Sequence, residues 1–292
     1  MKIAIASGKG GTGKTMVTAS LTVSWGAPVV AVDLDVEEPN LHLFLKPELS
    51  GRQEAFMEVP LVDEQKCDYC RQCAEFCQFK AISVLPNVVM VFPEMCHGCG
   101  GCMALCPREA IATTTRTLGE IAWGRSADNA FIMGRLRVGE AMSPPLIRKV
   151  QACLSRTDLF DPAADVLMDA PPGVSCPAVN AVIDSDFILL VTEPTPFGVF
   201  DLRLAQEAFR PLHKPMGVVI NRAGLGNGAV YDLCREVDLP ILAEIPYDRD
   251  IAAVYADGRV VALSDPRWQD LFRTLARSIQ AAVMNSREAR HA

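Results

Sequence analysis

A glycine-rich stretch near the start of the sequence constrains the fold more than any other feature. Residues 8–15 read Gly-Lys-Gly-Gly-Thr-Gly-Lys-Thr, which satisfies every position of the G-x-x-x-x-G-K-[ST] pattern. An apolar run, residues 3–6, precedes the stretch, and a segment of helical character, residues 14–25, follows it. Because the N–H groups of such a loop and of the following helix attract phosphate oxygens, the stretch predicts a phosphate-binding loop rather than a plain glycine-rich turn.

The side chains around this loop predict a site for ATP and Mg²⁺. Lys14 would contact the β- and γ-phosphates, and the hydroxyl of Thr15 would coordinate Mg²⁺. Two short apolar runs, typical of buried parallel strands, end in Asp33 and Asp169. An aspartate at the end of such a strand can hold the Mg²⁺ water shell, a role that we predict for Asp169. The predicted nucleotide-binding residues of the loop are Gly8, Lys9, Gly10, Gly11, Thr12, Gly13, Lys14 and Thr15.

Eight of the eleven cysteines fall between residues 67 and 106, and this clustering favours metal ligation over disulfides. They follow C-x₂-C-x₂-C-x₃-C twice, the pattern of bacterial two-cluster ferredoxins, in which the fourth cysteine of each run ligates the other cluster. The sequence thus predicts two [4Fe–4S] clusters. The first would be held by Cys67, Cys70, Cys73 and Cys106, and the second by Cys96, Cys99, Cys102 and Cys77.

Zinc is the alternative for these cysteines, but zinc sites usually combine two C-x₂-C pairs separated by a longer stretch. The first half departs from the ferredoxin pattern at Gln78, where proline usually follows the fourth cysteine. Proline donates no ligand, so this departure concerns the potential of a cluster rather than its ligation.

Composition narrows the functional class. Half of the residues are apolar, which allows a sizeable core, and the net charge of −7 argues against a nucleic-acid partner. No apolar run approaches the ~18 residues that span a bilayer, and the N-terminus lacks a signal-peptide pattern. We therefore expect a cytoplasmic protein.

The second lysine of the loop, Lys9, gives it the order found in the MinD/ParA family, which includes the nitrogenase iron protein and the Mrp-type carriers. Together with the cysteine runs, the whole chain resembles MinD-superfamily P-loop ATPases with an inserted ferredoxin domain. The resemblance implies an α/β fold with a mostly parallel, doubly wound P-loop NTPase sheet and an inserted small α+β ferredoxin-like domain. Residues 1–60 and 116–292 would form the ATPase domain, and residues 61–115 the insertion.

The resemblance also implies roles for single residues. Lys9 would reach the nucleotide of a partner chain, Asp35 would orient the attacking water, and Gly173 would donate an N–H to the γ-phosphate. Asn221 stands where the family has an asparagine that contacts adenine. The alternatives are a surface lysine for Lys9, a helix cap or turn acid for Asp35 and a turn asparagine for Asn221.

Two further features leave alternatives open. Cys176 follows the second acidic strand end, where the nitrogenase iron protein has a cysteine that holds a cluster between subunits; a structural thiol is the other interpretation. The apolar stripe of the last predicted helix, residues 266–284, is typical of a core-packing face, although MinD-type proteins can end in an amphipathic membrane anchor.

The functional prediction is an ATP-hydrolysing iron–sulfur protein. A dimer closed by ATP would couple nucleotide state to electron or cluster transfer. The dimer would be a homodimer or a heterodimer with a paralogous ATPase, and it would act on a redox or cluster-acceptor protein. The alternative is a MinD/ParA-type spatial-positioning or partition ATPase whose clusters sense redox state. An amidation enzyme related through the P-loop domain is disfavoured, since no glutaminase region is recognisable.

Overall fold

Strands and helices alternate along residues 1–291, which a computed structural model describes. The strands are β1 (Lys2–Ala6), β2 (Val29–Asp33), β3 (Glu48–Val62), β4 (Ile82–Leu85), β5 (Val88–Val91), β6 (Ile111–Ser126), β7 (Asn129–Leu136), β8 (Asp165–Asp169), β9 (Phe187–Thr192), β10 (Met216–Ala223) and β11 (Ile241–Pro246). The α-helices are α1 (Lys14–Ser24), α2 (Leu41–Leu45), α3 (Gln72–Phe76), α4 (Gly101–Ala104), α5 (Ser143–Cys153), α6 (Cys176–Val182), α7 (Pro196–Phe209), α8 (Ala229–Glu236), α9 (Arg249–Ala256) and α10 (Pro266–His291).

Nine of these strands form one sheet in the order β11-β10-β9-β1-β8-β2-β7-β6-β3. The strands from β11 to β7 run parallel, whereas β6 pairs antiparallel with β7 and with β3. The prediction of a mostly parallel α/β sheet is confirmed. Because β1 lies between β8 and β9, with β2 beyond β8, the carboxyl ends of the acidic strands meet beside the phosphate loop.

Apolar side chains on both faces of the sheet explain why helices cover it on both sides. In β1, Ala4 and Ala6 pack on one face with α5, α6, α7 and α8, whereas Ile3 and Ile5 pack on the other with α1, α2 and α10. All four side chains are fully buried. A strand buried on both faces reads as an unbroken apolar run, which is the pattern that predicted these strands.

The largest departure from the predicted elements is at the sheet edge. Residues 46–60 are mixed and polar, and the sequence predicts only that they lead into the insertion. From Glu48 onward they belong to a strand, β3, which pairs with β6 from Glu48 opposite Arg125 to Val62 opposite Ile111. We call β3 and β6 the edge ribbon. Its outer half has no strand beyond it and is largely exposed, so its sequence lacks the apolar pattern that identifies buried strands.

The cysteine-rich residues 63–110, here called the cysteine segment, connect the two strands of the edge ribbon at its far end. The segment contains α3, α4 and a separate antiparallel pair, β4 with β5. A small apolar cluster at its base includes Met57, Val59 and Leu118 of the ribbon together with Ala81 and Cys96. The segment is therefore attached through the ribbon to the edge of the main sheet.

The last helix, α10, packs its apolar stripe into the core. Trp268, Phe272, Leu275, Ile279 and Val283 are buried together with residues of α1. Among the described residues no helix is long and apolar enough to cross a membrane. The packing agrees with the prediction of a core-facing stripe.

The burial of α10 gives a stability prediction. Phe272→Ala should lower the free energy of unfolding by about 3–5 kcal/mol, because a fully buried aromatic ring is lost and a cavity remains. Met284→Ala, which removes a side chain of the same helix that is 61% exposed, should change it by less than about 0.5 kcal/mol. Urea unfolding followed by circular dichroism measures both, and equal effects of the two substitutions would contradict the assignment.

Candidate functional site

The phosphate loop between β1 and α1 is shaped by glycines that no other residue could replace. Gly13 has a φ of 98°, and a Cβ atom there would lie 2.4 Å from the amide nitrogen of Asn221. A Cβ atom on Gly8 would lie 2.0 Å from the carbonyl oxygen of Asp201. The amide of Asn221 donates a hydrogen bond to the carbonyl oxygen of Thr12 at 2.8 Å. The loop is thus held closely against β10 and α7.

The start of α1 is tied to the end of β8. The hydroxyl of Thr15 donates to Oδ2 of Asp169 at 2.6 Å, and that of Thr18 donates to Oδ1 at 3.1 Å. Lys14 is buried beside them. The predicted Mg²⁺ residues Thr15 and Asp169 therefore lie together. Thr18, one helical turn after Thr15, was missed by the sequence analysis, although its spacing on the helix could have indicated it.

The two acids after β2 have different surroundings. Asp33 is fully buried and accepts hydrogen bonds from the backbone N–H groups of Asp35 and Leu41, so it shapes the switch segment, residues 33–40. Asp35 instead lines a cavity next to the phosphate loop. The structure therefore places Asp35, the predicted water-orienting residue, in the lining of the same cavity as Lys14 and Thr15.

The site holds more carboxylates than cations. Burial, and after it the charge of Asp169, raises the pKa of Asp35 to about 6, while Lys14 opposes the shift. Burial also raises the pKa of Asp33 and of Asp169, although Lys14 and Thr15 act to lower the latter. A divalent cation bound here would stabilise the ionised carboxylates. Mg²⁺ usually needs only one or two carboxylates besides phosphates and water, so this residue set fits it.

The cavity is large and brings together some, but not all, of the predicted nucleotide contacts. It encloses about 1180 Å³, including its open mouth, and its lining includes Gly10, Gly11, Gly13, Lys14, Thr15, Asp35 and Asn221. Of the predicted site residues, the lining leaves out Gly8, Lys9, Thr12, Asp169 and Gly173. The far wall comes from the loop after β11 and from α9, with Tyr247, Asp248 and Tyr255. Tyr255 also stacks on Phe44 of α2, with ring centroids 4.8 Å apart. No motif in the sequence indicated Tyr255.

A buried, unpaired hydroxyl also points to a missing ligand. Among the described residues, Oγ1 of Thr12 is buried and has no hydrogen-bond partner. Leaving a buried hydroxyl unsatisfied is costly, and a ligand oxygen in the phosphate loop would satisfy it. The loop therefore fits a nucleotide phosphate.

Two predicted contacts have other partners in the single chain. Nζ of Lys9 lies 2.6 Å from Oε1 of Glu193, and Nη1 of Arg222 lies 2.7 Å from Oε2. Although burial opposes it, these two cations hold the pKa of Glu193 below its ordinary value. The N–H of Gly173 donates to the carbonyl oxygen of Ser7 at 3.0 Å. Both Lys9 and Gly173 would have to leave these partners to contact a phosphate.

The eight clustered cysteines line two cavities, four on each. One cavity is lined by a group that we call the first cysteine set, Cys67, Cys70, Cys73 and Cys106. The other cavity is lined by the second cysteine set, Cys77, Cys96, Cys99 and Cys102. These are the two groups that the sequence pattern predicts, including the exchange of the fourth cysteine between runs.

The backbone around the cysteines repeats between the two halves. Backbone N–H groups donate at 3.3–3.4 Å to the sulfurs of Cys67, Cys77, Cys96 and Cys106. Positive φ values recur with a spacing of 29 residues, first at Tyr69, Arg71 and Lys80 and then at Gly98, Gly100 and Glu109. Such N–H donors stabilise thiolate sulfur and, in iron–sulfur proteins, adjust the reduction potential.

Within residues 1–291, no three His, Cys, Asp or Glu side chains converge closely enough to surround a single metal ion. A [4Fe–4S] cluster instead distributes four cysteines over separate iron atoms. The cysteine cavities match that requirement by their lining, while the clusters themselves stay a prediction.

The remaining cysteines differ in exposure. Cys153 and Cys234 are buried, and burial raises the pKa of Cys234 to about 11, so both behave as core residues. Cys176 is exposed at the start of α6. Both interpretations of Cys176, a structural thiol and a ligand of a cluster between subunits, stay predictions.

Comparisons with known proteins concern nearly the whole chain. A family profile described as the CobQ/CobB/MinD/ParA nucleotide binding domain matches residues 3–261. Two uncharacterized proteins of Methanocaldococcus jannaschii are each 29% identical to this chain. The alignment with MJ0579 covers 88% of this chain and 90% of that protein, and the alignment with MJ0578 covers 97% and 98%.

A solved structure shares the fold. The septum site-determining protein MinD of Pyrococcus horikoshii, determined in complex with Mg-ADP, superposes with a TM-score of 0.59 and 21% identity over 95% of each chain. At this identity the similarity shows the fold alone.

The raised pKa of Asp35 gives a pH prediction for the protein free of metal and nucleotide. The folded chain binds the Asp35 proton more tightly than the unfolded chain, where the pKa is close to 3.8, so the free energy of unfolding should fall as the pH rises from about 4 to about 7. Asp35→Asn should weaken this slope and, after allowance for partial exposure, stabilise the protein at pH 8 by roughly 1–2 kcal/mol.

Asp184→Asn, at an exposed aspartate far from the cavity, is the matched control and should leave both the slope and the stability unchanged. Chemical denaturation at several pH values measures the effect. A loss of stability in Asp35→Asn at pH 8 would contradict the assignment of Asp35 as a partly buried carboxylate whose ionised form is disfavoured.

Proposed function

The chain belongs to the CobQ/CobB/MinD/ParA nucleotide-binding family and is an ATPase of the MinD/ParA type; from this premise we propose that it couples Mg²⁺·ATP hydrolysis to two [4Fe–4S] clusters. The clusters would be held by an inserted ferredoxin-like domain, residues 61–115, and residues 1–60 and 116–292 would form the ATPase domain. The observation that carries the proposal is the separation of eight cysteines into two cavities of four, at the end of a ribbon that belongs to the ATPase sheet.

Each group in the nucleotide cavity has a role in the proposed hydrolysis. Lys14 would contact the β- and γ-phosphates, and Thr15 and Asp169 would hold Mg²⁺, with the Thr15 hydroxyl giving up its bond to the carboxylate. Asp35, facing the same cavity, would orient the attacking water. Asn221 would face the base. Because Mg²⁺ would offset the negative charge of both the carboxylates and the phosphates, binding would be strongly coupled to the ionisation of the carboxylates.

The contacts of Lys9 suggest how ATP would close a dimer. On a single chain the charge of Lys9 is neutralised by Glu193, which Arg222 also contacts. A γ-phosphate on a partner chain would compete with Glu193 for Lys9, and Arg222 would keep Glu193 paired after Lys9 leaves. The partner would be a second copy or a paralogue. The presence of at least two relatives in one organism, MJ0578 and MJ0579, is compatible with paired paralogues.

The cysteine segment supports electron or cluster transfer as the outcome. Each [4Fe–4S] cluster supplies one-electron redox chemistry when bound. The first set would be Cys67, Cys70, Cys73 and Cys106, and the second set Cys77, Cys96, Cys99 and Cys102. One cysteine of each set, Cys70 in the first and Cys99 in the second, is exposed, so a redox or cluster-acceptor protein could approach both sets.

A second candidate is a spatial-positioning or partition ATPase with redox-sensing clusters. The family profile names MinD and ParA and no iron–sulfur protein, so it supports this candidate more directly than it supports electron transfer. The similarity to the solved septum site-determining protein is one of fold alone. The two candidates share the nucleotide site and differ in what the cysteine segment does.

Iron content tests the cluster proposal. Protein purified without oxygen should contain about eight irons per chain, and Cys99→Ser should lose about four of them because one set is incomplete. Cys234→Ser, at a buried cysteine outside both sets, should retain all eight. Iron and zinc are measured by elemental analysis together with visible absorption. Zinc in place of iron, or equal iron in the two variants, would contradict the proposal.

Nucleotide dependence separates the two candidate functions. Electron transfer from the reduced protein to a small acceptor should occur at different rates with Mg²⁺·ATP, with Mg²⁺·ADP and without nucleotide. In Lys14→Ala the three rates should become equal, because the phosphates lose their main cation. Equal rates in the unaltered protein would exclude the coupling and leave the positioning ATPase as the better candidate.

A further inference from the structure

The loop that follows β7 and the first residue of α5, together residues 137–143 and here called the loop, contact the switch segment on one side. The hydroxyl of Ser143 donates to Oε1 of Glu37 at 2.8 Å. Just before the loop, the N–H of Leu136 donates to the carbonyl oxygen of Val36 at 2.9 Å. Both acceptors lie within two residues of Asp35, which faces the nucleotide cavity. A rearrangement of the switch segment around a γ-phosphate must therefore either break these two bonds or move the loop with it.

The same loop belongs to a closed ionic network. Glu140, almost fully buried, pairs with Arg116 of the edge ribbon and accepts the N–H of Met142 at 2.9 Å. Glu94 of the cysteine segment pairs with Arg116 at 3.1 Å and with Arg137 at 2.6 Å. Two cations thus lie between two carboxylates. Glu140 and Arg116 are buried, so removing either would leave a buried charge without its partner. Glu94, whose side chain is 67% exposed, joins this buried pair to the cysteine segment.

The network ends beside the second cysteine set. Glu94 lies two residues before Cys96, within the turn whose Pro93 carbonyl oxygen accepts the N–H of Cys96 at 3.1 Å. Met142 of the loop also packs against the apolar cluster that contains Cys96 and, partly buried, Cys77. Residues 137–143 are therefore connected to the surroundings of the second set by an ionic path, from Arg137 to Glu94, and by an apolar path, through the cluster against which Met142 packs.

Among the residues that the structure describes, none connects the first cysteine set to the switch segment in a comparable way. Its cavity is lined by Val62 and Ile111, at the far end of the edge ribbon, whereas the cavity of the second set is lined by residues 58–60, nearer the main sheet. In the part of the chain that the structure describes, no residue of the 137–143 loop lines the first cavity. The two sets are alike in local backbone but differ in how they are joined to the ATPase.

We infer that residues 137–143 form a relay that transmits nucleotide state to the second cysteine set and not to the first, with Ser143 and Glu140 as its positioning residues. The inference rests on the proposed function, since it concerns how that ATPase acts on its cysteine segment. Binding of ATP would favour one arrangement of the switch segment, and the relay would carry the change to residues 93–99. A coupling of this kind is typically worth fivefold or more in an equilibrium constant.

Hydrogen–deuterium exchange of the full chain tests the relay without relying on activity. Exchange is compared with Mg²⁺·ADP and with a non-hydrolysable Mg²⁺·ATP analogue. In the unaltered protein, exchange of residues 93–99 should differ by about fivefold or more between the two nucleotides, whereas the equivalent residues 64–70 of the first half should change by less than about twofold.

Ser143→Ala should abolish the nucleotide-dependent difference at residues 93–99 while leaving exchange in the ADP state unchanged. Ser155→Ala removes a hydroxyl that is exposed and bonded only to the neighbouring Ala152 carbonyl, and it should retain the difference. A purely structural role for Ser143 would change both nucleotide states equally. Retention of the difference in Ser143→Ala would overturn the inference.

Glu140→Gln tests the ionic part of the relay, with Glu236→Gln, at an exposed pair with Arg203, as its control. Only Glu140→Gln should uncouple residues 93–99 from nucleotide. Equal responses of residues 64–70 and 93–99 in the unaltered protein would also overturn the inference. Nucleotide affinity and iron content, measured on the same samples, show separately whether the proposed function fails.

Discussion

The contact between Thr15 and Asp169 is the interaction on which the rest of the site depends. It joins the first residues of α1 to the end of β8. Beneath this contact β1 pairs with β8, with Ile5 opposite Asp169. Asp33, at the end of β2, lies opposite Asp169 on the other side. Three carboxylates are thereby brought near one buried lysine. Because the carboxylates repel one another, the site favours a ligand that brings a cation for the carboxylates and phosphates for the lysine.

The insertion lies between the last two strands at one edge of the sheet, and strand pairing explains this position. A strand in the middle of a parallel sheet needs partners on both sides, so a long excursion there would break the sheet. At the edge, β6 and β3 turn antiparallel and extend beyond β7, because their outer residues need pair only with each other. The cysteine segment therefore lies outside the main sheet, away from the nucleotide cavity. Arg116 and Leu118, where the ribbon leaves the sheet, contact the cysteine segment.

Features that depend on local sequence could be predicted, and features that depend on tertiary contacts could not. The glycine loop, the acidic strand ends and the cysteine spacing each identify residues that the structure brings together. The strands β1, β2 and β8 were predicted because burial on both faces produces apolar runs. The exposed β3 was missed because nothing in its composition indicates a strand. Its strand conformation comes from its pairing with β6.

The same reason explains what was missed in the site. Tyr255 and Glu193 reach the site from elements far along the chain, and only the fold brings them near the phosphate loop. The pairing of Lys9 with Glu193 within one chain likewise has no local signal. No local sequence pattern marks residues 137–143 either, whereas the structure shows them between the switch segment and the cysteine segment.

The central claim is that the nucleotide site and the cysteine segment act as one device. It is tested most directly by a redox titration of the anaerobically purified protein, followed by electron paramagnetic resonance, with Mg²⁺·ADP and with a non-hydrolysable Mg²⁺·ATP analogue. The account predicts two [4Fe–4S] signals, of which one changes its reduction potential by about 40 mV or more between the nucleotides while the other is unchanged. The absence of both signals, or two potentials that ignore the nucleotide, would contradict it.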